Sequence, residues 1–340
     1  MIGIDISERS IKMVRLGNDR QHRLETYSWV DLPEGVIERG VVKTPEAVQK
    51  AIVELFRRGK LSLRVKDAVV ASIPEAESFL QVVQIPTMDE SEIGEAVQWE
   101  VAQHIPFGLE NVYLDWQWVR RSDKKTSGKH EVLVGAAEKK VVDPLWSVLS
   151  SLGLDVAALE LESQAFIRAL ISPELSRRAG LLVVDLGSDT TNVVIHDRGT
   201  IRFSASLSRG VEGVLANLSE IEQEQIKKIS TQSESAVPEK MYQRIKADLE
   251  ALVAEAHGIV EYYTRPRKDR WINEVLLTGG GSNLPGLDAV FLRYFDNVHI
   301  QRGNPWVNIM PTGDPTQPMG LAESVHYSTA LGLALRPVIL

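Results

Sequence analysis

The sequence contains no cysteine, no excess of basic residues and no long hydrophobic run. Disulfide bonds and thiolate metal sites are therefore excluded. The 46 Asp and Glu residues outnumber the 38 Lys and Arg residues, and the net charge of −8 argues against a general nucleic-acid-binding protein. The longest apolar stretches, 179–184 and 330–335, are too short to cross a bilayer. Because Asp5 interrupts the apolar start of the chain, no signal peptide is predicted and we expect a cytoplasmic protein.

At 340 residues the chain is long enough for two domains with sizeable cores. Strand-like and helix-like periodicities alternate along it, which is typical of the α/β class. We predict a charged, solvent-exposed hairpin loop at 120–130. Strands are predicted at 1–6, 11–16, 68–73, 131–136, 155–159, 180–186 and 192–195, and helices at 45–57, 141–152, 239–264 and 321–335, with a further helix that begins at Asp89 or Ser91 and ends near Gln103.

Two predicted strand–turn–strand hairpins share one pattern. In each, an apolar strand ends in an acid, Asp5 or Asp185, and a polar turn that carries Ser or Thr follows. Gly187 allows the backbone of the second turn to approach a phosphate, and successive amides there form an anion-binding concavity. Because Mg²⁺ keeps most of its water ligands, Asp185 can hold it through water. The alternative is a plain hairpin turn capped by polar side chains.

A third turn, "TGGGSNLPG" at Thr278–Gly286, joins a predicted buried strand to a helix. Three successive glycines leave bare backbone against which a large ligand can lie, and the N-terminus of the helix favours negative charge. The alternative is a tight strand–helix connection without a ligand. Two acid-bearing hairpins and this turn together predict a three-point clamp on one nucleotide.

The three turns, in this order and at these separations, resemble the phosphate 1, phosphate 2 and adenosine motifs of the superfamily that contains actin, DnaK-type chaperones and sugar kinases. Three segments resemble the PilM family of type IV pilus assembly proteins and, more distantly, the division protein FtsA. They are "QWEVAQHIPFGLENVYLDWQ" (98–117), "ALELESQAFIRAL" (158–170) and "ALGLALR" (330–336). The resemblance covers nearly the whole chain. It implies an α/β, actin-like, two-lobed ATPase fold with an inserted small subdomain of the FtsA/PilM type.

The resemblance also implies how the chain divides. The segments 158–170 and 330–336 are expected to be the helices that connect the two lobes. The expected parts are a first lobe core of 1–81, 156–178 and 321–340, an inserted subdomain of 82–155, a second lobe core of 179–208 and 268–320, and a helical subdomain of 209–267.

The resemblance implies binding roles for the positions that match the family's motifs. Asp5 and Asp185 are expected to hold Mg²⁺ through water, and Glu162 is expected to orient a catalytic water. The alternative for Glu162 is an ordinary helix carboxylate, and the alternative for Glu224 and Lys227 is a solvent-exposed helix face. The expected nucleotide-binding residues are Asp5, Ser10 and Lys12 at phosphate 1, Asp185, Gly187, Ser188, Thr190, Thr191 and Asn192 at phosphate 2, Gly210, Glu212, Glu224 and Lys227 after it, and Gly279, Gly280, Gly281 and Ser282 at the adenosine turn.

The first turn departs from the family pattern, which is close to Asp-Ile-Gly-Ser-Ser-Ser-Val-Lys. Ser7 stands where a glycine lets the backbone approach the phosphate, and Glu8 stands where a hydroxyl side chain faces the γ-phosphate. A carboxylate about 4 Å from a phosphate charge costs on the order of 4 kcal/mol at an intermediate dielectric, before Mg²⁺ and Lys12 offset it. We therefore predict weak binding of ATP or ADP and little or no hydrolysis.

The resemblance implies a cytoplasmic, Mg·ATP-binding adaptor of a pilus or related secretion assembly, which binds the short N-terminal tail of the inner-membrane protein PilN. Membrane association is expected through that partner, and self-association stays open by analogy with actin. Two other functions remain open. One is a nucleotide-free scaffold of the same assembly. The other is a small-molecule kinase of the same superfamily, although no second catalytic acid is evident.

Overall fold

The computed structural model describes residues 1–17, 22–64, 66–105, 108–122, 128–178, 180–231, 238–265, 271–310 and 317–337. Pro106 and Phe107, in the first PilM-like segment, and residues 123–127 of the predicted charged loop lie outside these ranges. None of the helices within them is long and apolar enough to cross a membrane.

Most strands belong to two sheets. The strands are β1 (Ile2–Ile6), β2 (Ser10–Leu16), β3 (Leu24–Asp31), β4 (Ile37–Glu38), β5 (Val41–Val42), β6 (Val69–Ile73), β7 (Ser78–Ile85), β8 (Val112–Arg120), β9 (His130–Glu138), β10 (Val156–Leu161), β11 (Leu181–Leu186), β12 (Thr191–Asp197), β13 (Thr200–Leu207), β14 (Glu274–Thr278) and β15 (His299–Arg302). A five-stranded sheet has the order β10-β6-β1-β2-β3, and an eight-stranded sheet has the order β15-β14-β11-β12-β13-β7-β9-β8. Strands β4 and β5 pair separately with each other.

Helices cover both sheets. They are α1 (Pro45–Arg58), α2 (Ile93–Val101), α3 (Lys139–Ser151), α4 (Glu162–Leu170), α5 (Pro173–Arg178), α6 (Val211–Leu215), α7 (Glu220–Thr231), α8 (Glu239–Thr264), α9 (Leu287–Tyr294), α10 (Leu321–Ser324) and α11 (Ser328–Ala334). Helices α1 and α3 share a core with the five-stranded sheet through Leu55 and Leu149, and α8 and α9 share one with the eight-stranded sheet through Leu249 and Phe291. The two cores lie on different sheets, so each sheet has its own helical cover.

The two acid-bearing hairpins lie in different sheets. Strands β1 and β2 pair with Asp5 opposite Lys12, and β11 and β12 pair with Asp185 opposite Asn192. β1 also pairs in parallel with β6, and β11 pairs in parallel with β14. Because β1 and β11 are buried almost throughout, their sequences are continuous apolar runs rather than alternating patterns.

The strands of the inserted segment extend the eight-stranded sheet. β7 pairs with β13 where Gln81 lies opposite Phe203, and β9 and β8 follow it. The buried guanidinium of Arg202 contacts Glu131 at 2.7 Å across this junction. Strand β7 runs across the boundary expected at 81/82, whereas β10 begins at the one expected at 156. The division into lobes and subdomains stays a proposal.

Three predictions differ from the observed elements. Several observed strands, including β3, β7, β13 and β15, are absent from the predicted strands. Residues 158–161, expected in a connecting helix, form the end of β10 because they pair with β6, and α4 starts only at Glu162. The helix predicted at 321–335 is interrupted at Val325–Tyr327, where the amide of Gly279 and the hydroxyl of Ser328 both donate to the carbonyl of Val325.

The two possible starts of the second predicted helix are resolved in favour of Asp89. Asp89 and Glu92 form a capping box, in which each side chain accepts a hydrogen bond from the other residue's backbone. A short 3-10 turn follows, and α2 then ends at Val101, two residues before its predicted end.

Candidate functional site

Four carboxyl groups lie together where the two sheets meet. Asp5 and Asp185 each stand one residue before the end of β1 and β11, Glu162 begins α4, and Glu75 lies between β6 and β7. The side-chain amide of Asn192 and the backbone amide of Glu75 donate hydrogen bonds to Glu162 at 2.9 and 3.5 Å. The structure therefore brings the two expected metal-binding acids and the expected catalytic acid into one cluster.

Burial and mutual repulsion raise the pKa values in this cluster. Burial, and then the charge of Asp5, raise the pKa of Asp185 to about 7, although Lys12 and Asn192 act in the opposite direction. The pKa of Glu162 lies well above its usual range because of burial and the charges of Asp5 and Asp185. A cation brought to these carboxylates therefore stabilises them.

Glu75 connects the cluster to α4 and to the eight-stranded sheet. Its carboxylate accepts hydrogen bonds from the amide and hydroxyl of Ser163 in α4, at 3.3 and 3.0 Å, and from the hydroxyl of Ser204 in β13. Burial raises the pKa of Glu75 despite these three donors. No sequence signal indicated this residue.

Lys12 supplies positive charge at the same place. Its Nζ lies 3.3 Å from Asp5 Oδ2 and 4.9 Å from the ring centroid of Trp29. The hydroxyl of Ser72 donates to the other oxygen of Asp5 at 3.3 Å. Burial, and then the charge of Lys12, lower the pKa of His326 to about 4, so this imidazole is neutral at physiological pH.

The first turn is closed on itself. The amide and hydroxyl of Ser7 both donate to the carbonyl of Ser10, at 3.0 and 2.9 Å, and the two hydroxyl oxygens lie 3.3 Å apart. The carboxylate of Glu8 accepts a hydrogen bond from the amide of Gly40 at 3.3 Å, so it is held by a neighbouring turn. Burial, and then the negative charge of Asp189, raise the pKa of Glu8, which places it close to the second turn.

Arg9 joins the two hairpin turns directly. Its Nε lies 3.2 and 3.1 Å from the two carboxylate oxygens of Asp189, and its Nη2 lies 3.1 Å from one of them. Glu34 contacts the same guanidinium at 3.3 Å. The turns are thus joined by an ion pair in the region where we expect phosphate groups to join them.

Backbone contacts shape the second turn. The amide of Gly187 donates to the carbonyl of Thr190 at 3.0 Å, and the amide of Glu212 donates to the carbonyl of Ser188 at 2.9 Å. Gly187, Ser188 and Thr190 keep partial exposure. Thr191 is fully buried, and its hydroxyl donates to a backbone carbonyl in the loop before α6, so it holds the turn in place.

Asn192 has an unused acceptor. It is buried in β12, and its Oδ1 has no hydrogen-bond partner among the described residues. An unpaired buried acceptor beside three carboxylates is a place where an ordered water or a hydrated cation would add a donor.

Of the residues expected after phosphate 2, Gly210 and Glu212 contact the second turn. A Cβ at Gly210 would lie 2.3 Å from the carbonyl oxygen of Ser188, so α6 starts directly against the turn. Glu212 accepts hydrogen bonds from Lys227 at 2.7 Å and from the hydroxyl of Ser188 at 3.4 Å. Lys227 is therefore neutralised by Glu212, and Glu224 lies exposed on α7.

The glycine turn lies against the acid of the second hairpin. Gly279 has a φ of +77°, and a Cβ there would lie 2.4 Å from Asp185 Oδ1. Only glycine meets both conditions without strain. The hydroxyl of Ser282 is buried and donates to the carbonyl of Gly279 at 2.7 Å, so it closes the turn.

The other two glycines lie against further segments of the chain. A Cβ at Gly280 would lie 2.7 Å from the ring of His326, and one at Gly281 would lie 2.4 Å from the side chain of Val211. The structure therefore brings the glycine turn to the second hairpin, to α6 and to the segment before α11.

Several residues of this site were not predicted from the sequence. Trp29 of β3 and His326 lie with their ring centroids 5.4 Å apart beside Lys12, and nothing in their local sequence indicates a ligand. Arg9 and Asp189 stand inside the two predicted turns. Their opposite charges were the one sequence feature that could have indicated an ion pair between the turns.

The arrangement fits a metal–nucleotide only in part. The glycine turn leaves bare backbone, and the carboxylate cluster would gain from Mg²⁺. Among the residues that the structure describes, no three or more acidic or histidine side chains are grouped so that they could hold a metal directly. Binding of Mg²⁺ through water at Asp5 and Asp185 stays a prediction. At the first turn, Glu8 adds negative charge and Arg9 is already paired.

Comparison with known proteins gives the fold and the family. Residues 3–338 match the family model of the type IV pilus assembly protein PilM. A chain of the solved PilM–PilN type IV pilus biogenesis complex is 25% identical and superposes with a TM-score of 0.83, over 100% of this chain and 98% of that one.

Two more distant structures share the fold. They are the ethanolamine utilization protein EutJ of Carboxydothermus hydrogenoformans (TM-score 0.57, 15% identity, 98% of this chain and 88% of that one) and MreB5 of Spiroplasma citri bound to AMPPNP (TM-score 0.50, 12% identity, 97% and 93%). The predicted α/β, two-lobed, actin-like fold is confirmed. The chain belongs to the PilM family of type IV pilus assembly proteins.

Proposed function

We propose that this protein is a cytoplasmic adaptor of a type IV pilus assembly complex, or of a related secretion assembly. It binds Mg·ATP or Mg·ADP weakly in the cleft between the lobes and binds the N-terminal tail of a PilN-like inner-membrane protein. The observation that carries the adaptor role is the match along the whole chain to a protein solved in complex with PilN.

Weak nucleotide binding is supported by the charges at the two turns. The carboxylates of Glu8, Glu34 and Asp189 surround the single guanidinium of Arg9. A phosphate chain placed there meets net negative charge, and Lys12 and Mg²⁺ must offset it. The glycine turn carries no carboxylate of its own, and the second turn keeps Gly187, so the affinity is reduced rather than abolished.

Little or no hydrolysis is expected from the same cleft. Glu162 is the acid that would orient a water, and its hydrogen bond to Asn192 fixes its carboxylate. Mg²⁺ bound at Asp5 and Asp185 would neutralise phosphate charge. The amide and hydroxyl of Ser7 already donate to the carbonyl of Ser10, so the first turn offers fewer donors to a terminal phosphate.

A cavity of about 600 Å³ offers a place for the partner's tail. Strands β8 and β9 form one wall, and β10 and α4 form the other. β8 is the outer strand of the eight-stranded sheet, so an extended peptide can pair with its free edge. Tyr113, Asp115 and Gln117 of β8 are exposed and line this cavity.

The opposite wall carries charge. Glu160 is nearly fully buried and contacts Arg168 and Arg336, each with a nitrogen–oxygen distance of 2.9 Å. Two guanidinium groups against one carboxylate leave one positive charge, which favours carbonyl or carboxylate groups of an extended chain. Apolar residues such as Leu161 and Ile167 lie between these charges and can pack on aliphatic side chains.

The test is recruitment to vesicles. A peptide with the sequence of the N-terminal tail of the PilN-like protein is anchored to anionic vesicles, and the purified chain is sedimented with them. We expect the chain to sediment with the tail-bearing vesicles and to stay in the supernatant with bare ones. Strong sedimentation with bare vesicles, or none with either kind, would contradict the proposal.

A nucleotide-free scaffold is the second candidate. The observation that favours it is the Arg9–Asp189 ion pair, which joins the two turns without any phosphate. Absence of measurable binding at millimolar ATP, with tail binding intact, would establish it in place of the nucleotide-binding adaptor.

A further inference from the structure

Two kinds of contact join the lobes of this protein. Around the connecting helices the contacts are uncharged or shielded. The hydroxyls of Thr278 and Ser328 lie 2.7 Å apart in a buried contact, and Asn192 donates to Glu162 at 2.9 Å in a partly buried one. The Arg9–Asp189 pair differs because it joins one hairpin turn to the other, and both of its side chains are partly exposed.

The geometry of this pair is stronger than that of a casual surface contact. Both carboxylate oxygens of Asp189 are engaged, and two different nitrogens of Arg9 donate to them. Bidentate guanidinium–carboxylate pairs are the stronger class of charged hydrogen bond. The backbone carbonyl of Arg9 also accepts a hydrogen bond from the amide of Leu32 at 2.9 Å, which fixes the turn that carries it.

We propose that Arg9 and Asp189 form a latch that holds the two lobes together in the absence of nucleotide. The two residues are 180 positions apart and belong to hairpins in different sheets, so their contact reports directly on the approach of the lobes. Closure of the cleft then does not depend on a phosphate chain that bridges the turns. This inference goes beyond the proposed function. It concerns the protein without nucleotide, so it does not depend on whether nucleotide binds.

The absence of cysteine makes the latch measurable. Val53 in α1 and Ile221 in α7 are 43% and 72% exposed and belong to different lobes, so Val53→Cys with Ile221→Cys gives two unique labelling positions. Pulsed electron spin resonance on the spin-labelled protein without nucleotide gives the distribution of distances between them. For the parent protein we expect one narrow distribution.

Variants then remove the latch. Arg9→Gln and Asp189→Asn should each raise the population at longer distances, by about threefold to tenfold given the partial exposure of the pair. The double variant should open no further than either single one, because both changes break the same contact. The control is Glu34→Gln, which removes the 83% exposed second partner of Arg9 and should leave the distribution unchanged.

The salt concentration provides a second measurement of the same contact. Raising NaCl from about 0.05 M to about 1 M should widen the distribution of the parent protein and leave that of Arg9→Gln unchanged, because screening weakens exposed ion pairs. Distributions that stay narrow in Arg9→Gln and Asp189→Asn, with circular dichroism spectra like the parent's, would overturn the proposal. Equal salt responses in parent and Arg9→Gln would also overturn it.

Discussion

Asn192 of the second hairpin donates a hydrogen bond to Glu162, the first residue of α4, across 2.9 Å. This amide lowers the pKa of Glu162 and also that of Asp185, whereas burial raises both and is the larger influence. A neutral side chain thus offsets part of the repulsion within the carboxylate cluster. The ionised carboxylates of the cluster therefore lower the stability of the folded protein.

Asp185 should make the folded protein less stable at neutral pH. Its pKa is about 7 in the folded protein against an ordinary 3.8, so the folded state holds the proton more tightly than the unfolded chain. Stability is then lost as pH rises from about 4 to about 7. Asp185→Asn should raise the free energy of unfolding at about pH 8 by on the order of 2 kcal/mol and leave it nearly unchanged at about pH 4.

Thermal melting at the two pH values checks this, with Asp296→Asn as the control because Asp296 is exposed. Added Mg²⁺ should raise the melting temperature of the parent protein at about pH 8 and have a smaller effect on Asp185→Asn. A variant that melts below the parent at about pH 8 would show that the ionised carboxylate stabilises the fold.

Restoring the family pattern in the first turn should strengthen nucleotide binding. Ser7→Gly with Glu8→Ser removes the carboxylate that lies near Asp189 and frees the backbone of the turn. Isothermal titration with Mg·ATP should show an affinity at least tenfold higher than that of the parent. Glu34→Ser is the comparison variant. It removes a carboxylate that is 83% exposed and screened by solvent, so it should raise the affinity less. An unchanged affinity in the double variant would mean that Ser7 and Glu8 are harmless.

Gly279 should tolerate substitution less well than another glycine with the same kind of backbone. Gly279→Ala combines a φ of +77° with a Cβ 2.4 Å from Asp185 Oδ1, whereas Gly153→Ala has a φ of +73° and open space. Gly153→Ala should cost about 1 kcal/mol in unfolding free energy, and Gly279→Ala should cost at least about 1 kcal/mol more. Urea unfolding measures both, and equal costs would mean that the turn can move away from Asp185.

The proposed tail site can be blocked from within the sheet. A Cβ at Gly135 in β9 makes only ordinary contacts, at 3.7 Å, with Leu161 and Leu80, so Gly135→Leu should fold and extend into the cavity. Fluorescence anisotropy with a labelled tail peptide should show an affinity at least tenfold lower. Trp99→Leu, on the exposed face of α2, is the control, and retained tail affinity in Gly135→Leu would exclude this cavity.

The sequence predicts the elements that carry strong local signals. The helix at 239–264 is observed with the same bounds, and both acid-bearing hairpins are present in their predicted places. Continuous apolar runs that end in an acid are sufficient for β1 and β11 because both strands are buried on both faces. Turn chemistry and periodicity act over short distances, so a single sequence carries them.

Contacts between distant segments could not be predicted in the same way. Glu75 became part of the site through Ser163 in α4 and Ser204 in β13, which are far from it in the sequence. Trp29 lies beside Lys12 because β3 pairs with β2. The sequence of β3 did not indicate a strand. Residues 158–161 pair with β6, and this tertiary contact decides against the helix that the resemblance implied.

We propose that this PilM-family protein binds nucleotide weakly and acts by binding a partner rather than by hydrolysing ATP. Calorimetry with Mg·ATP and Mg·ADP on the purified chain, followed by a phosphate-release assay on the same sample, tests it most directly. We expect weak, Mg²⁺-dependent binding, with dissociation constants above about 10 μM (weaker than about −7 kcal/mol), and little or no released phosphate. Submicromolar binding with rapid, repeated release of phosphate would contradict the account and make the protein an active ATPase.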